Sequence, residues 1–93
     1  MSAASHPVSG ALTFDTAPGL YHASKGWFVA GAELVIDLAQ VERADSAGLA
    51  LMIEWLKRAK VAGCRLQFVN IPDQVQTLIR VNGLQAALLN HGE

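Results

Sequence analysis

A chain of 93 residues holds one compact domain without a linker, because a core of this size buries only part of the surface of its own chain. A net charge of -1 with only 16% charged residues excludes the gathered Lys and Arg that phosphate recognition needs, so no nucleic-acid partner is expected. The hydrophobic fraction of 52% and mean hydropathy of +0.28 are high for so large a surface-to-volume ratio, and they assign part of the apolar surface to a partner.

The longest strongly apolar stretch, residues 47–53, ends at Glu54 and falls far short of the roughly 20 residues that cross a bilayer, so no membrane span is expected. The opening Met1-Ser2-Ala3-Ala4-Ser5-His6-Pro7 has neither the basic start nor the apolar core of a signal peptide. The expected location is therefore the cytoplasm, with residues 1–7 flexible. Cys64 has no second cysteine to pair with, and no His lies near it in sequence to lower its pKa, so it reads as a small residue at the start of a strand.

Residues 8–14 alternate Val8, Gly10, Leu12 and Phe14 with small or polar residues, the period of a half-buried strand, with Gly10 marking a bend or bulge. Asp15 and Thr16 can cap a helix, Pro18 suits its first turn, and Leu20, Ala23, Trp27 and Phe28 continue at helical spacing to a stop before Gly31. Leu34-Val35-Ile36-Asp37-Leu38 and Arg65-Leu66-Gln67-Phe68-Val69-Asn70 are short, apolar and β-branched, as in strands buried on both faces. Between them, residues 47–62 form a helix whose last turn is cationic and is followed by Gly63. Strand, helix and strand in this order make a right-handed parallel crossover. Pro72 opens a third helix carrying Val75, Leu78 and Ile79, which Asn82-Gly83 closes, and residues 84–89 add one or two turns. The expected fold class is α/β: a small mixed, largely parallel sheet with three to four helices packed mainly on one face.

The densest cluster of signals is Asp45-Ser46-Ala47-Gly48-Leu49, where the polar loop gives way to the helix. Asp45 and Ser46 are both strong N-cap residues. Gly48 in the first turn costs about 1 kcal/mol against Ala, which implies that something comes close to the backbone there. By spacing alone, a well-capped helix accounts for the cluster.

The whole region resembles the STAS domains shared by anti-sigma factor antagonists and the cytoplasmic tails of sulfate transporters. The resemblance rests on the strand Leu34-Val35-Ile36-Asp37-Leu38, a short loop, and the helix opening Asp45-Ser46-Ala47-Gly48-Leu49-Ala50-Leu51. It continues through Ala59-Lys60-Val61-Ala62-Gly63, Leu66-Gln67-Phe68-Val69-Asn70-Ile71-Pro72 and Val81-Asn82-Gly83-Leu84, and covers roughly residues 8–89. STAS domains usually begin with a strand pair, whereas only a few residues precede Gly10 here, so the first strand is expected to be short or missing.

Within the family, the chain looks most like the small stand-alone STAS subunits of Mla-type phospholipid transporters, which serve outer-membrane lipid homeostasis. The residues carrying this likeness are Ala44-Asp45-Ser46-Ala47-Gly48-Leu49-Ala50-Leu51-Met52 and Asn70-Ile71-Pro72. The resemblance implies a partner-binding role: attachment to the ABC-transporter ATPase and, through it, to the membrane permease at the inner membrane, with the hydroxyl of Ser46 on the contact surface. The alternative it carries is an anti-sigma factor antagonist, in which a serine kinase that is also the anti-sigma factor phosphorylates Ser46. Asp45-Ser46 serves both roles equally well.

Around the helix, Leu49, Met52, Ile53 and Leu56 are expected to face the core, while Leu51 and Trp55 share a flank beside Glu54, Lys57 and Arg58. That flank is either an interface anchor, since Trp is enriched at binding hot spots, or is covered by a neighbouring helix. An enzyme finds little support. His6, His22 and His91 are scattered, and no Walker loop, G-x-S-x-G elbow or strand-end pair of acids is present. No metal or cofactor is expected, and Asp37 reads as a hydrogen-bonded structural carboxylate.

Overall fold

In the computed structural model, which describes residues 3–89, strands and helices alternate. They run β1 (Ala3–Leu12), α1 (Ala17–Ala23), β2 (Glu33–Ala44), α2 (Ser46–Ala62), β3 (Arg65–Val69), α3 (Asp73–Val81) and α4 (Gln85–Leu88), and a 3-10 turn at Ser24–Trp27 prolongs α1. The sheet has the order β1-β2-β3, and among the described residues all its strands are parallel. Each crossover advances one strand in the same direction, and right-handed connections then place α1 and α2 on the same face.

The register shows which face that is. His6, Ile36 and Phe68 align across the sheet, as do Leu34 and Leu66. Of these, Leu34, Ile36, Leu66 and Phe68 are buried beneath the helices. The alternate positions point the other way. Ser5 and Gln67 there are exposed and Val35 and Asp37 half-buried, so the helices pack on one face and leave the second thinly covered, as expected.

β1 begins at Ala3, earlier than the alternation of residues 8–14 implies, and residues 3–7, expected to be flexible, pair in register with Glu33 to Asp37. Among the described residues the interval before α1 holds one strand of 10 residues, where a short or missing first strand was expected. Register shifts fall between Pro7 and Ser9 and between Gly10 and Ala11, and Gly10 adopts a φ of 81°. The expected bulge is therefore there, and only a residue without Cβ takes that conformation cheaply. Val8 and Leu12 enter the core, whereas Phe14 lies beyond the strand and is 76% exposed.

The ends of α2 follow local rules. At its C-terminus Gly63 takes a φ of 78°, with its N–H and that of Cys64 donating to the Ala59 carbonyl at 2.9 and 3.0 Å. α3 ends likewise: Gly83 has a φ of 71° and the Leu84 N–H donates to the Ile79 carbonyl at 2.9 Å. Cys64 is buried immediately before β3, and burial pushes its thiol pKa up, in keeping with an inert packing residue.

The buried face of α2 differs from the expected one. Gly48, Leu49, Leu51, Met52, Trp55 and Ala59 are buried, whereas Ile53 and Leu56 are only half-buried. Leu51 and Trp55, considered as an interface flank, are 4% and 0% exposed and belong to the core. α1 and the 3-10 turn cover them. The Trp55 indole N–H donates to Ser24 Oγ at 2.9 Å, and Ser24 Oγ donates in turn to the Tyr21 carbonyl at 2.9 Å. A buried indole needs such a partner, and a fully buried Ser24 supplies it. Aromatic contacts extend outward from Trp55, with ring centroids 5.8 Å from Trp27 and 6.3 Å from Phe68, and His6 stacks on Trp27 at 4.2 Å. This row of rings spans the sheet from β1 to β3.

Candidate functional site

The first turn of α2 is organised by Asp45. Its Oδ1 accepts hydrogen bonds from the N–H groups of Ala47 at 2.9 Å and Gly48 at 3.2 Å, which satisfies two of the four donors that a helix start leaves free. Its Oδ2 accepts from the Phe14 N–H at 3.1 Å, and its own N–H donates to the Leu12 carbonyl at 3.2 Å. One carboxylate thus caps α2 and fastens the loop after β1. These bonds to the charged form, that from Phe14 foremost, hold the Asp45 pKa below its ordinary value.

Two N-cap candidates stand side by side in the sequence, and the structure selects between them. Asp45 is the cap. Ser46 is exposed, and its hydroxyl makes no hydrogen bond among the described residues. Gly48 has an intramolecular reason: a Cβ placed there would meet the carbonyl group of Leu12, with the carbonyl carbon 2.8 Å and Cγ 3.0 Å away. The close approach that a glycine in the first turn implied comes from β1 of the same chain. Gly48 and Leu49 are buried, so of the five motif residues Ser46 and Ala47 offer the outward surface, while Asp45, Gly48 and Leu49 shape it.

Beside Ser46 runs a shallow apolar groove between α1 and α2, lined by Phe14, Ala17, Pro18, Tyr21, Ala47 and Ala50, with Glu54 at its end. The largely buried Leu51, one of the two flank residues, also contributes to its lining. Small side chains at 47 and 50 open it, and the Asp45 bond to the Phe14 backbone sets its far wall. The sequence offered no signal for Phe14, because its alternation with Leu12 continued the pattern of β1. Thr16 completes the loop, with Oγ1 donating to the Ala11 carbonyl at 2.8 Å and accepting from the Thr13 N–H at 2.9 Å.

The residues weighed for chemistry lie apart. Asp37 Oδ1 accepts from the Ala39 N–H at 2.9 Å and from Asn70 Nδ2 at 3.2 Å, the structural role expected of it. His22 is exposed on α1, His6 is stacked on Trp27, and His91 lies outside the described residues. Among the described residues no group of three or more His, Cys, Asp or Glu could hold a metal ion, and no helix is long and apolar enough to cross a membrane.

The chain, a parallel sheet covered on one face with a capped helix that presents a free serine beside an apolar groove, shares its architecture with solved STAS-type folds. A family profile described as "Mlab, STAS domain" matches residues 7–90, and the chain belongs to that family. The intermembrane phospholipid transport system binding protein MlaB of Escherichia coli K12 is 37% identical over 54 residues, as is its counterpart in Shigella flexneri. The matched stretch is 58% of this chain and 56% of each relative, so the chain spans little more than half the length of the curated relatives it matches. Two solved structures share the fold. A sulfate transporter family protein from Wolinella succinogenes superposes with a TM-score of 0.73 at 17% identity, over 92% of this chain and 70% of its own. The unphosphorylated anti-sigma factor antagonist SpoIIAA gives 0.72 at 15% identity, over 94% and 77%.

Proposed function

We propose that this chain is a non-enzymatic STAS subunit of an Mla-type phospholipid transport system, binding and supporting its ABC ATPase on the cytoplasmic side of the inner membrane. The observation that carries the reading is the free Ser46 hydroxyl beside the Phe14 groove, on a chain related to a transport-system binding protein. The Ala47 and Gly48 N–H groups are taken by Asp45 and the Asp45 N–H by Leu12, so what the helix start offers a carbonyl or carboxylate of the partner is chiefly the partial positive charge of its dipole. Ser46 adds one hydroxyl, and the groove accepts an apolar side chain. The lipid itself would be handled by other subunits.

The test is recovery of the tagged protein from its own cells at native abundance, with identification of what accompanies it. An ABC ATPase with permease subunits is expected, and Ser46→Glu is expected to lose them. Ser46 caps nothing, so Ser46→Ala should change stability by no more than about 0.5 kcal/mol. Ser46→Glu also places its charge where the helix dipole favours it, which separates loss of binding from loss of folding. Normal association of Ser46→Glu would refute the contact surface. A second reading, the anti-sigma factor antagonist, draws on the same exposed hydroxyl, since phosphate at a helix start is favourable within the domain and adds about two negative charges to the binding surface. A serine kinase in place of the transporter subunits, with phosphate on Ser46, would establish it.

A further inference from the structure

The second half of α2 carries a groove that the proposed function leaves unused. About 300 Å³ in volume, it lies between α2 and the segment after α1, and Lys25, Phe28, Glu54, Lys57, Arg58 and Val61 line most of it. Its apolar part is open to solvent: Val61 is 89% exposed and Phe28 is half-buried. The charge around it is predominantly positive, with Glu54 the one carboxylate in its lining. Of the chain's seven Lys and Arg, Lys25, Lys57 and Arg58 line the groove, and Lys60 is exposed one turn further along the same helix. None of the four makes an ion pair among the described residues, Glu54 included.

Basic residues in a last turn complement the helix dipole, but that effect is confined to the terminus and does not account for Lys25, which sits on another element. Arg58 is also fixed in place. Its guanidinium lies 4.6 Å from the Tyr21 ring centroid and 5.6 Å from that of Phe28, and its Nη1 is shielded from solvent without a hydrogen-bond acceptor. A cation so held contributes positive potential at the floor of the groove without having to be ordered on binding.

We propose that this groove docks an acidic segment of a protein partner, with one large apolar side chain against Phe28 and Val61 and carboxylates reaching Lys25 and Lys57. The apolar floor selects the anchor and the unpaired cations select the charge. The groove meets the Phe14 groove at Glu54, but its basic end lies away from Ser46, with Lys57 about 17 Å from it along α2 at the helical rise per residue, and the proposal does not depend on the ATPase reading.

Peptides are selected from a random display library on the wild-type protein, synthesised, and their affinities measured by fluorescence anisotropy. The expected consensus combines Asp or Glu with a large apolar residue. Lys25→Glu with Lys57→Glu should weaken binding at least about tenfold, and added salt should weaken it in wild type. Both lysines are exposed and unpaired, so the fold should persist. If the double reversal does not fold, Lys25→Gln with Lys57→Gln replaces it, with a smaller loss expected. Ser46→Glu should bind the peptides as wild type does, which separates this site from the proposed ATPase contact. A consensus without acidic residues, unchanged binding by the lysine variants, or binding of phosphatidylglycerol vesicles at this groove in place of any peptide would overturn the proposal.

Discussion

Replacing Gly48 by Ala tests the packing of the motif against β1. On an exposed helix the change would stabilise by about 1 kcal/mol, because Ala is the better helix former. Here the added methyl would sit 2.8 Å from the Leu12 carbonyl carbon, 3.0 Å from Leu12 Cγ and closer still to the carbonyl oxygen. Leu12 is fully buried, and its carbonyl holds the Asp45 N–H, so neither wall of the contact is a free side-chain end. Overpacking of this kind costs typically about 1–3 kcal/mol, and displacing the carbonyl loosens a bond contributing about 1 kcal/mol more. After the propensity gain, a net loss of about 1–3 kcal/mol is expected. For a domain of this size that lowers the melting temperature by about 4–8 °C per kcal/mol. Urea unfolding followed by tryptophan fluorescence measures it, with Gly19→Ala as the control, since a Cβ at Gly19 of α1 would meet nothing within 4 Å. That control should gain up to about 1 kcal/mol. If Gly48→Ala gains as well, the reading of Gly48 as a packing residue is wrong.

Asp45→Asn keeps an acceptor for the cap but removes the charge. Because the folded pKa lies below the ordinary 3.8, the ionised form contributes stability that is present above that value and lost as pH falls through the lowered one. The melting-temperature gap between wild type and variant should therefore be full at neutral pH and close in acid, and a gap independent of pH would contradict this. Trp55→Phe should cost about 1–3 kcal/mol in urea unfolding, from the cavity and the lost hydrogen bond to Ser24; a cost near zero would return Trp55 to the surface. Cys64, buried with a raised pKa, should react with a thiol reagent at neutral pH only as fast as the protein unfolds. Rapid labelling of the native protein would show the strand start to be open.

Helix ends were legible because capping is local chemistry. Asp45 before an apolar run and Gly63 after a cationic turn mark α2 to within one residue, since the hydrogen bonds that decide each end come from residues a few positions away. Residues 39–44, expected as a loop, continue β2 to Ala44 because Gln40 to Ala44 pair with Ser9 to Leu12 of β1, but the apolar runs at Leu34 and Leu66 were legible as strands, since a short β-branched run has few alternatives. The length of β1 was not. Residues 3–7 are small and polar, and only their pairing with Glu33 to Asp37 makes them strand.

The phase of α2 shows the same division within one helix. From Leu49 to Leu56 nearly every residue is apolar, so periodicity alone could not choose between Leu51 with Trp55 and Ile53 with Leu56 as the buried pair. Ser24, far away in sequence, decides it by accepting the indole N–H. The site divides likewise: the sequence by itself determined that Asp45 to Leu49 opens a capped helix. Only the tertiary structure made Asp45 the cap, turned Gly48 toward Leu12 and left Ser46 free beside Phe14, because those outcomes depend on which carbonyl and which strand end arrive at the helix start.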